Sequence, residues 1–310
     1  MKAAQLKRRP GHLQNFTGLS VEQFEALVEA LRAEVSRSQG LAKPRQRAVG
    51  GGRKTKLGLE DQVVVTLMYY RLYLTQVLLG YLFDLDDSNV SRVINRLQPL
   101  LLEVLPLPLR ERLLFTADEQ KPRRRIATLD ELFRKHPEFK EVLVDATEQE
   151  VPKPKDKAKR KGHYSGKQKR HTLKTQVTTS RSGLLLHVSR SVAGRVNDLT
   201  LLRGSGVLRE LPAELPVRVD RGYDGIASDY PERRFQLPHK ARRNKPLDLI
   251  QKWVNGLHNR YRVPVENALA HLKRLELLAA IYRGPQQHYD DTFLVISGLH
   301  NFRKLNALAW

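Results

Sequence analysis

The sequence predicts an all-α region carrying a helix-turn-helix, followed by an α/β domain. Three observations lead there. Between Leu59 and Leu97, apolar residues recur every three or four positions, the period of packed helices. From Val142 onward, short apolar runs bounded by turn residues read as three antiparallel strands, then as alternating helix and strand. Lys and Arg together number 55 against 33 Asp and Glu, a net charge of +22 in 310 residues. Such an excess attracts polyanions, nucleic acid first among them.

The composition also narrows the function. There is no cysteine, so neither a disulfide framework nor a thiolate metal site is available. No apolar run approaches membrane-spanning length, and the N-terminus lacks a signal-peptide core. A cytoplasmic location is the expectation.

In chain order, residues 1–19 read as a basic, irregular arm. Ser20 and Gln23 form a capping box that opens a helix on Phe24, Leu27 and Leu31, fading near Ser36. From Arg37 to Lys56 the chain is rich in Arg, Lys and Gly, a linker able to track a phosphate backbone. Its Gly50–Thr55 run has one residue too many before the lysine, and no preceding strand, to be a phosphate-binding loop. Residues 1–57 are therefore expected to be arm, one helix and linker.

Residues 58–110 are expected to be the helix-turn-helix domain. A helix over Leu59–Leu74 is carried by Val63, Val64, Leu67 and Met68. A helix over Thr75–Phe83, a turn at Asp84–Asp86 and a helix over Asp87–Leu97 follow, with Gly80 at a close crossing and Asp87 as N-cap. Leu79, Phe83, Leu85, Val90 and Val93 fall where a helix-turn-helix needs apolar contacts. Val90, Val93, Ile94 and Leu97 share the inward face of the last helix. Asn89, Ser91, Arg92, Asn95 and Arg96 are left outward, side chains suited to phosphates and base edges. A helical bundle with a polar face is the alternative; the acidic turn favours it and the basic surroundings favour DNA.

Leu100, Leu101 and Leu105 lead to a basic loop at Lys121–Arg125, and Thr128 with Glu131 caps a short helix ending before Pro137. The α/β domain is expected over 126–310. Its first strand, Val142–Gln149, carries Asp145 at its mouth, where a carboxylate needs a cation, a partner or water. Lys153–Lys174 is intensely basic, with Lys157, Lys159, Arg160, Lys161, Lys169 and Arg170 among its charges. A solvated loop would look the same, but beside a carboxylate site the run is suited to bringing DNA there. Leu173–Thr179 and Leu184–Ser189 read as a hairpin, and Asn197 or Asp198 as the cap of a helix over Leu199–Leu202. Pro216–Val219 is a strand ending in Asp220, and Arg234–Leu237 a further short strand. A long helical region over Leu247–Ile281 is expected to break at Pro264 and restart with Glu266, proline being tolerated at a first helical position. A last helix covers Asp291–Leu305.

Asp145, Asp220 and Glu266 thus come from separate elements and together make a hard-oxygen set of the kind that holds Mg²⁺ or Mn²⁺. Two such ions, roughly 4 Å apart, activate water and stabilise the leaving oxygen of a phosphodiester. Any one of the three alone would be a turn former or a helix-surface charge. Glu148 lies three residues past Asp145, so a continuing strand turns it to the opposite face. Arg262 and Lys273 share the helical face of Glu266, where a phosphate backbone could lie across them.

These residues stand in a recognisable pattern. Val-Asp-Ala-Thr-Glu at 144–148, Tyr-Ser-Gly-Lys at 164–167, Lys-Arg-His-Thr-Leu-Lys at 169–174, Asp-Arg-Gly-Tyr at 220–223 and Arg-Val-Pro-Val-Glu-Asn-Ala at 262–268 resemble bacterial insertion-sequence transposases of the IS-five group. These are relatives of the Harbinger-type transposases within the DDE superfamily. Arg262, Glu266 and Lys273 fit the Arg-x3-Glu-x6-Lys signature around that family's catalytic glutamate. The chain departs from the family in having Asn197-Asp198 where His-Asp is common, and Asn259 at the signature's Tyr position, with Tyr261 close by. The resemblance implies a ribonuclease-H-like catalytic domain behind the helix-turn-helix, with Asp145, Asp220 and Glu266 binding two Mg²⁺ or Mn²⁺ ions. It further implies cleavage at the element's terminal inverted repeats, joining to target DNA, and a homodimer on double-stranded DNA. A catalytically inactive DNA-binding regulator derived from a transposase is the alternative.

Overall fold

The computed structural model describes residues 1–40, 55–110, 139–241, 243 and 246–306. The middle of the expected linker, the basic loop at Lys121–Arg125 and the capping box of Thr128 and Glu131 lie outside the described residues. The chain divides into two compact units. The first holds Met1–Leu107, Lys273–Ala280 and Asp291–Trp310; the second holds Pro108–Leu272 and Ile281–Asp290. Residues 273–280 and 291–310, expected within the α/β domain, therefore cluster with the helical unit.

The helical unit opens with α1 (Ala3–Lys7) and α2 (Pro10–Thr17), where an irregular arm was expected. Neither helix is long enough to be stable alone, and tertiary contacts hold them. The Ala3 amide donates to Asp61 Oδ1 at 2.7 Å, Lys2 Nζ to Asp61 Oδ2 at 3.2 Å, and the Met1 ammonium to the Leu82 carbonyl at 2.7 Å. Leu6 and Leu13 are buried. In α3 (Val21–Gly40) the capping box forms as expected: the Ser20 amide donates to Gln23 Oε1 at 3.1 Å, and the Gln23 amide to Ser20 Oγ at 3.2 Å.

The helix-turn-helix follows in α4 (Leu59–Leu72), α5 (Gln76–Phe83) and α6 (Asp87–Val104). Thr75 caps α5, its hydroxyl oxygen accepting from the Leu78 amide at 3.3 Å. A Cβ on Gly80 would lie 2.5 Å from the Leu85 carbonyl oxygen, so only glycine permits this approach of turn to helix. The N-cap of α6 is Asp86 rather than Asp87, and α6 runs on through Pro99. Val90, Ile94, Leu97 and Leu101 form its buried stripe, while Val93 is half-buried.

The second unit contains β1 (Leu109–Arg110), β2 (Val142–Glu150), α7 (Lys157–His163), β3 (Tyr164–Ser165), β4 (Arg170–Ser180), β5 (Leu185–Val188) and β6 (Val192–Ala193). It continues with α8 (Asp198–Gly204), α9 (Val207–Glu210), β7 (Val217–Arg218), α10 (Ile226–Asp229), β8 (Phe235–Gln236) and α11 (Leu249–Lys273). The main sheet has the order β1-β5-β4-β2-β7-β8, with β3 and β6 also paired to β4. β2, β4 and β5 form an antiparallel meander, while β7 joins the free side of β2 in parallel and β8 joins β7 in parallel. A meander with two parallel strands added beside its first strand is the ribonuclease-H-like order. Val142, Val144, Val217 and Val219 meet Leu202, Val207, Leu208, Tyr223 and Ile226 in a core on one face.

α11 corrects an expectation. It passes through Pro264 without interruption, so Glu266 sits mid-helix rather than at a restart. An interior proline costs a helix about 3 kcal/mol, but His258, Arg262, Val265, Ala268 and Leu272 are buried along one side and fix the helix across it. α12 (Glu276–Ala279) and α13 (Tyr289–Asn306) close the chain. No helix among the described residues is long and apolar enough to cross a membrane.

Candidate active site

Asp145 is not at the end of its strand, as expected, because β2 continues to Glu150. What ends is its parallel neighbour, whose pairing stops at Leu143–Arg218. Beyond that pair β2 has, among the described residues, only β4 beside it, and Asp145 lies in the notch where β7 leaves the sheet. Leu143 and Arg218 are register partners on one face, and two residues further on each chain bring Asp145 and Asp220 forward on that face. The two carboxylates come together as the strand argument required, at a notch rather than at two strand ends.

Each is held by its own backbone. Asp145 Oδ1 accepts from the Ala146 amide at 2.8 Å, and Asp220 Oδ1 from the Gly222 amide at 2.6 Å. Burial pushes the Asp145 carboxyl up to about 6; the Arg262 charge and the Ala146 amide oppose the rise, and the charges of Asp220 and Asp198 add to it. The notch therefore concentrates negative charge in a poorly solvated place.

α11 supplies the third carboxylate. His258 Nε2 donates to the Val219 carbonyl at 2.9 Å, which leaves Nδ1 to accept from Arg218 Nη1 at 3.2 Å. Arg218 also pairs with Glu141 at 3.1 Å, and the guanidinium groups of Arg218 and Arg181 each lie over the Tyr261 ring, 4.7 Å from its centroid. One turn past His258, Arg262 Nη2 donates to Asp145 Oδ2 at 2.8 Å; one turn further, Glu266 Oε1 is 3.6 Å from Arg262 Nη1. The Glu266 side chain is 54% exposed and that of Arg262 11%. Arg262, expected to receive a phosphate, instead stands as a buried cation between the first and third carboxylates. Among the described residues, no three acidic or imidazole groups are close enough to hold an ion as they stand.

Sequence reasoning gave no site role to four neighbours. Glu148 is on the opposite face, as its parity demands, but it is buried, accepting from Thr172 Oγ1 at 2.7 Å with Lys174 Nζ 3.5 Å away. Lys174, counted within the basic run, is buried too and donates to Asp198 Oδ1 at 2.9 Å and to the Val196 carbonyl at 2.7 Å. Asp198 Oδ2 and Asp220 Oδ1 each lie 2.9 Å from where a Gly222 Cβ would be. The Tyr223 hydroxyl is buried without a hydrogen-bond partner among the described residues. Burial, then the charges of Asp145, Asp198 and Asp220, raise its pKa well above the usual tyrosine value. In the sequence, the helix cap at Asn197 was reason enough for Asp198, and nothing marked it further.

The residues expected to meet DNA lie elsewhere. On α6, Arg92, Asn95 and Arg96 are exposed and Asn89 and Ser91 half-buried; Arg92 Nη1 donates to Asn89 Oδ1 at 2.7 Å, and Asn95 Nδ2 to Ser91 Oγ at 3.4 Å. The basic run is not a plain loop but contains α7, capped by Asp156, which accepts from the Lys159 amide at 2.7 Å. Lys157, Lys159 and Lys161 are exposed on it, whereas Arg160 is half-buried and turned back to the carbonyls of Pro154 and Lys155 at 3.2 and 2.9 Å. Lys169 is exposed, and Arg170 is exposed but ion-paired with Glu150. Lys273, exposed, is the last residue of α11.

Comparison with known proteins places this arrangement. Residues 55–107 match the family described as the helix-turn-helix of DDE superfamily endonuclease. A relative from Microchaete diplosiphon, named "Probable transposase for insertion sequence element IS702", is 28% identical over 97% of this chain and 96% of its own length. A second relative, from Streptomyces albus G, also carries a transposase name, for insertion sequence element IS112; it is 28% identical over 94% of each chain. A solved Mos1 transposase paired-end complex with left transposon end aligns over 90% of this chain and 98% of its own at 11% identity, with a TM-score of 0.20, too loose an overlap to support any statement here. The family described as DDE superfamily endonuclease matches residues 144–301, from the residue before Asp145 to beyond Glu266. The chain belongs to the DDE superfamily of endonucleases.

Proposed function

We propose that this endonuclease is a transposase of the IS-five group that cuts at the terminal inverted repeats of its own mobile element and joins the freed ends to target DNA. The observation that carries the reading is the notch: Asp145 and Asp220 come forward on one face of adjacent parallel strands, and Arg262 ties the helix of Glu266 to Asp145. Asp145, Asp220 and Glu266 are the catalytic carboxylates. α6 reads the element ends through Asn89, Ser91, Arg92, Asn95 and Arg96. Lys157, Lys159, Lys161, Lys169 and Lys273 neutralise phosphates, whereas Arg160 and Arg170 are engaged within the chain. The protein acts in the cytoplasm as a homodimer on double-stranded DNA.

The residues fit Mg²⁺ or Mn²⁺. The donors are carboxylate oxygens, the hard ligands such ions prefer, and Asp145 sits among like charges that a cation would relieve. When bound, the ions supply an activated water and charge stabilisation at the leaving oxygen. Asp145 and Asp220 would hold them from the sheet, and Glu266, the most exposed of the three, would complete the set from α11. Arg262, which balances Asp145 in the structure, would be freed to meet the DNA phosphate. Water adds to phosphorus, the P–O3′ bond breaks, and the strand is left with a 3′-hydroxyl and a 5′-phosphate. The 3′-hydroxyl then adds to a target phosphate, displacing that strand's own 3′-oxygen.

A nicking assay on duplex carrying the element end, with and without Mg²⁺, tests the reading. Metal-dependent nicking supports it, whereas binding without nicking at any Mg²⁺ or Mn²⁺ concentration points to a DNA-binding regulator. Competition by RNA as effective as that by DNA would remove the DNA assignment.

A further inference from the structure

Lys174 and Tyr223 lie just behind the notch, and the roles proposed for Asp145, Asp220 and Glu266 use neither. Lys174 is a buried cation with three acceptors: the Val196 carbonyl at 2.7 Å, Asp198 Oδ1 at 2.9 Å and Glu148 Oε1 at 3.5 Å. A buried ammonium is expensive unless its partners are fixed, so this set holds the Asp198 carboxylate in one orientation. With Oδ1 engaged, Oδ2 is presented toward Gly222, at 2.9 Å from the position a Cβ would take there. Asp220 Oδ1 stands at the same distance from the same point, so the two oxygens are no more than about twice that distance apart. A side chain at 222 would separate them, and glycine leaves the space between them open.

The independent sign of a ligand is Tyr223. Its hydroxyl is fully buried and unpartnered among the described residues, and the charges of Asp145, Asp198 and Asp220 all act on it. A buried hydroxyl without a partner is destabilising, a cost that a water or reoriented carboxylate brought by an ion would remove.

We propose that Asp198 is a fourth carboxylate of the metal site, offering Oδ2 to the ion that Asp220 binds while Lys174 holds Oδ1, with Tyr223 as the buried donor that positions the loaded set. This inference rests on the proposed metal-dependent reading. Lys174 and Glu148 act through Asp198 as positioning residues and touch neither ion nor DNA.

The test is Mn²⁺ binding to the full chain by calorimetry, with thermal unfolding in the presence and absence of Mn²⁺. Asp198→Asn should weaken Mn²⁺ affinity by roughly ten- to a hundredfold, and should lower the melting temperature without Mn²⁺ as well, because buried Lys174 loses a charged partner. Asp198→Glu should recover part of the affinity. Tyr223→Phe should leave the metal-free protein as stable or more so, since an unsatisfied hydroxyl is removed, and should shrink the stabilisation by Mn²⁺. A purely structural role lowers the melting temperature in the same way but leaves Mn²⁺ affinity unchanged in Asp198→Asn, which overturns the inference. Asp220→Asn is run beside them. If it abolishes Mn²⁺ binding while Asp198→Asn keeps wild-type affinity, only the fourth-ligand role fails. If Asp220→Asn also keeps wild-type affinity, the metal reading itself fails.

Discussion

His187 lies in β5 with both ring nitrogens buried and without a hydrogen-bond partner among the described residues. Burial alone pushes its pKa down to about 4. The unfolded chain takes up this proton near the ordinary value of about 6.5. Its contribution to stability is therefore present above about pH 6.5 and lost as pH falls through about 4, on the order of 3 kcal/mol over that window. Replacing His187 with Leu should flatten the acid side of the stability profile. Chemical denaturation at pH 7 and pH 4.5 measures this, and an unchanged difference between the two pH values would show that His187 is not the group responsible. Arg262 is the other residue whose surroundings redefine it. Its place on the helical face of Glu266 suggested a phosphate contact, yet its guanidinium lies on Asp145 and balances charge in the notch. No spacing rule shows which of two roles a cation plays, because that depends on what packs against it.

At the scale of elements, α6 and α7 carry the DNA predictions. Arg92, Asn95 and Arg96 stand exposed on α6, as its periodicity implied. Outward arginines on a recognition helix read phosphates and guanine edges together. The Arg92→Ala, Arg96→Ala double variant should lose preference for element-end DNA over scrambled duplex while keeping weak general affinity, as gel-shift competition would show; retained discrimination would place recognition elsewhere. On α7 the three exposed lysines are free for phosphates, whereas Arg160 is spent on backbone carbonyls. Neutralising Lys157, Lys159 and Lys161 together should flatten the slope of log K against log salt by about 2–3, with sequence preference little changed. An unchanged slope would make α7 a solvated surface only.

The elements also show what could be read beforehand. The strands of the meander, the parallel strand ending in Asp220 and the capping box at Ser20 follow from local alternation and turn chemistry, and all formed. α1 and α2 carry no helical signature, since contacts to Asp61 and Leu82 create them. The unbroken α11 goes against the usual meaning of proline, because packing of His258, Arg262 and Val265 outweighs one missing donor. In the candidate site, Asp145, Asp220 and Glu266 were the carboxylates that order and spacing singled out. Asp198, Lys174 and Tyr223 were not, because an ion pair between β4 and α8 is visible only once the sheet has brought them together.

For the whole molecule, a net charge of +22 brings polyanions to the surface, while the notch buries like charges against one another. The protein as a whole is thus attractive to DNA and locally in need of a cation, a combination that suits metal-dependent phosphodiester chemistry. Glu148 is a poor negative control for that chemistry, buried as it is against Lys174; the exposed Glu232 is a better one. The central claim is tested most directly by Mg²⁺-dependent cleavage of element-end DNA in Asp145→Asn, Asp220→Asn and Glu266→Gln, with Glu232→Gln alongside. Each change removes one negative ligand and keeps side-chain size, so the fold and DNA binding should persist. The three variants should bind the end DNA and fail to cut it, and Glu232→Gln should cut as the wild type does. Cleavage surviving in any of the three folded variants would contradict the account.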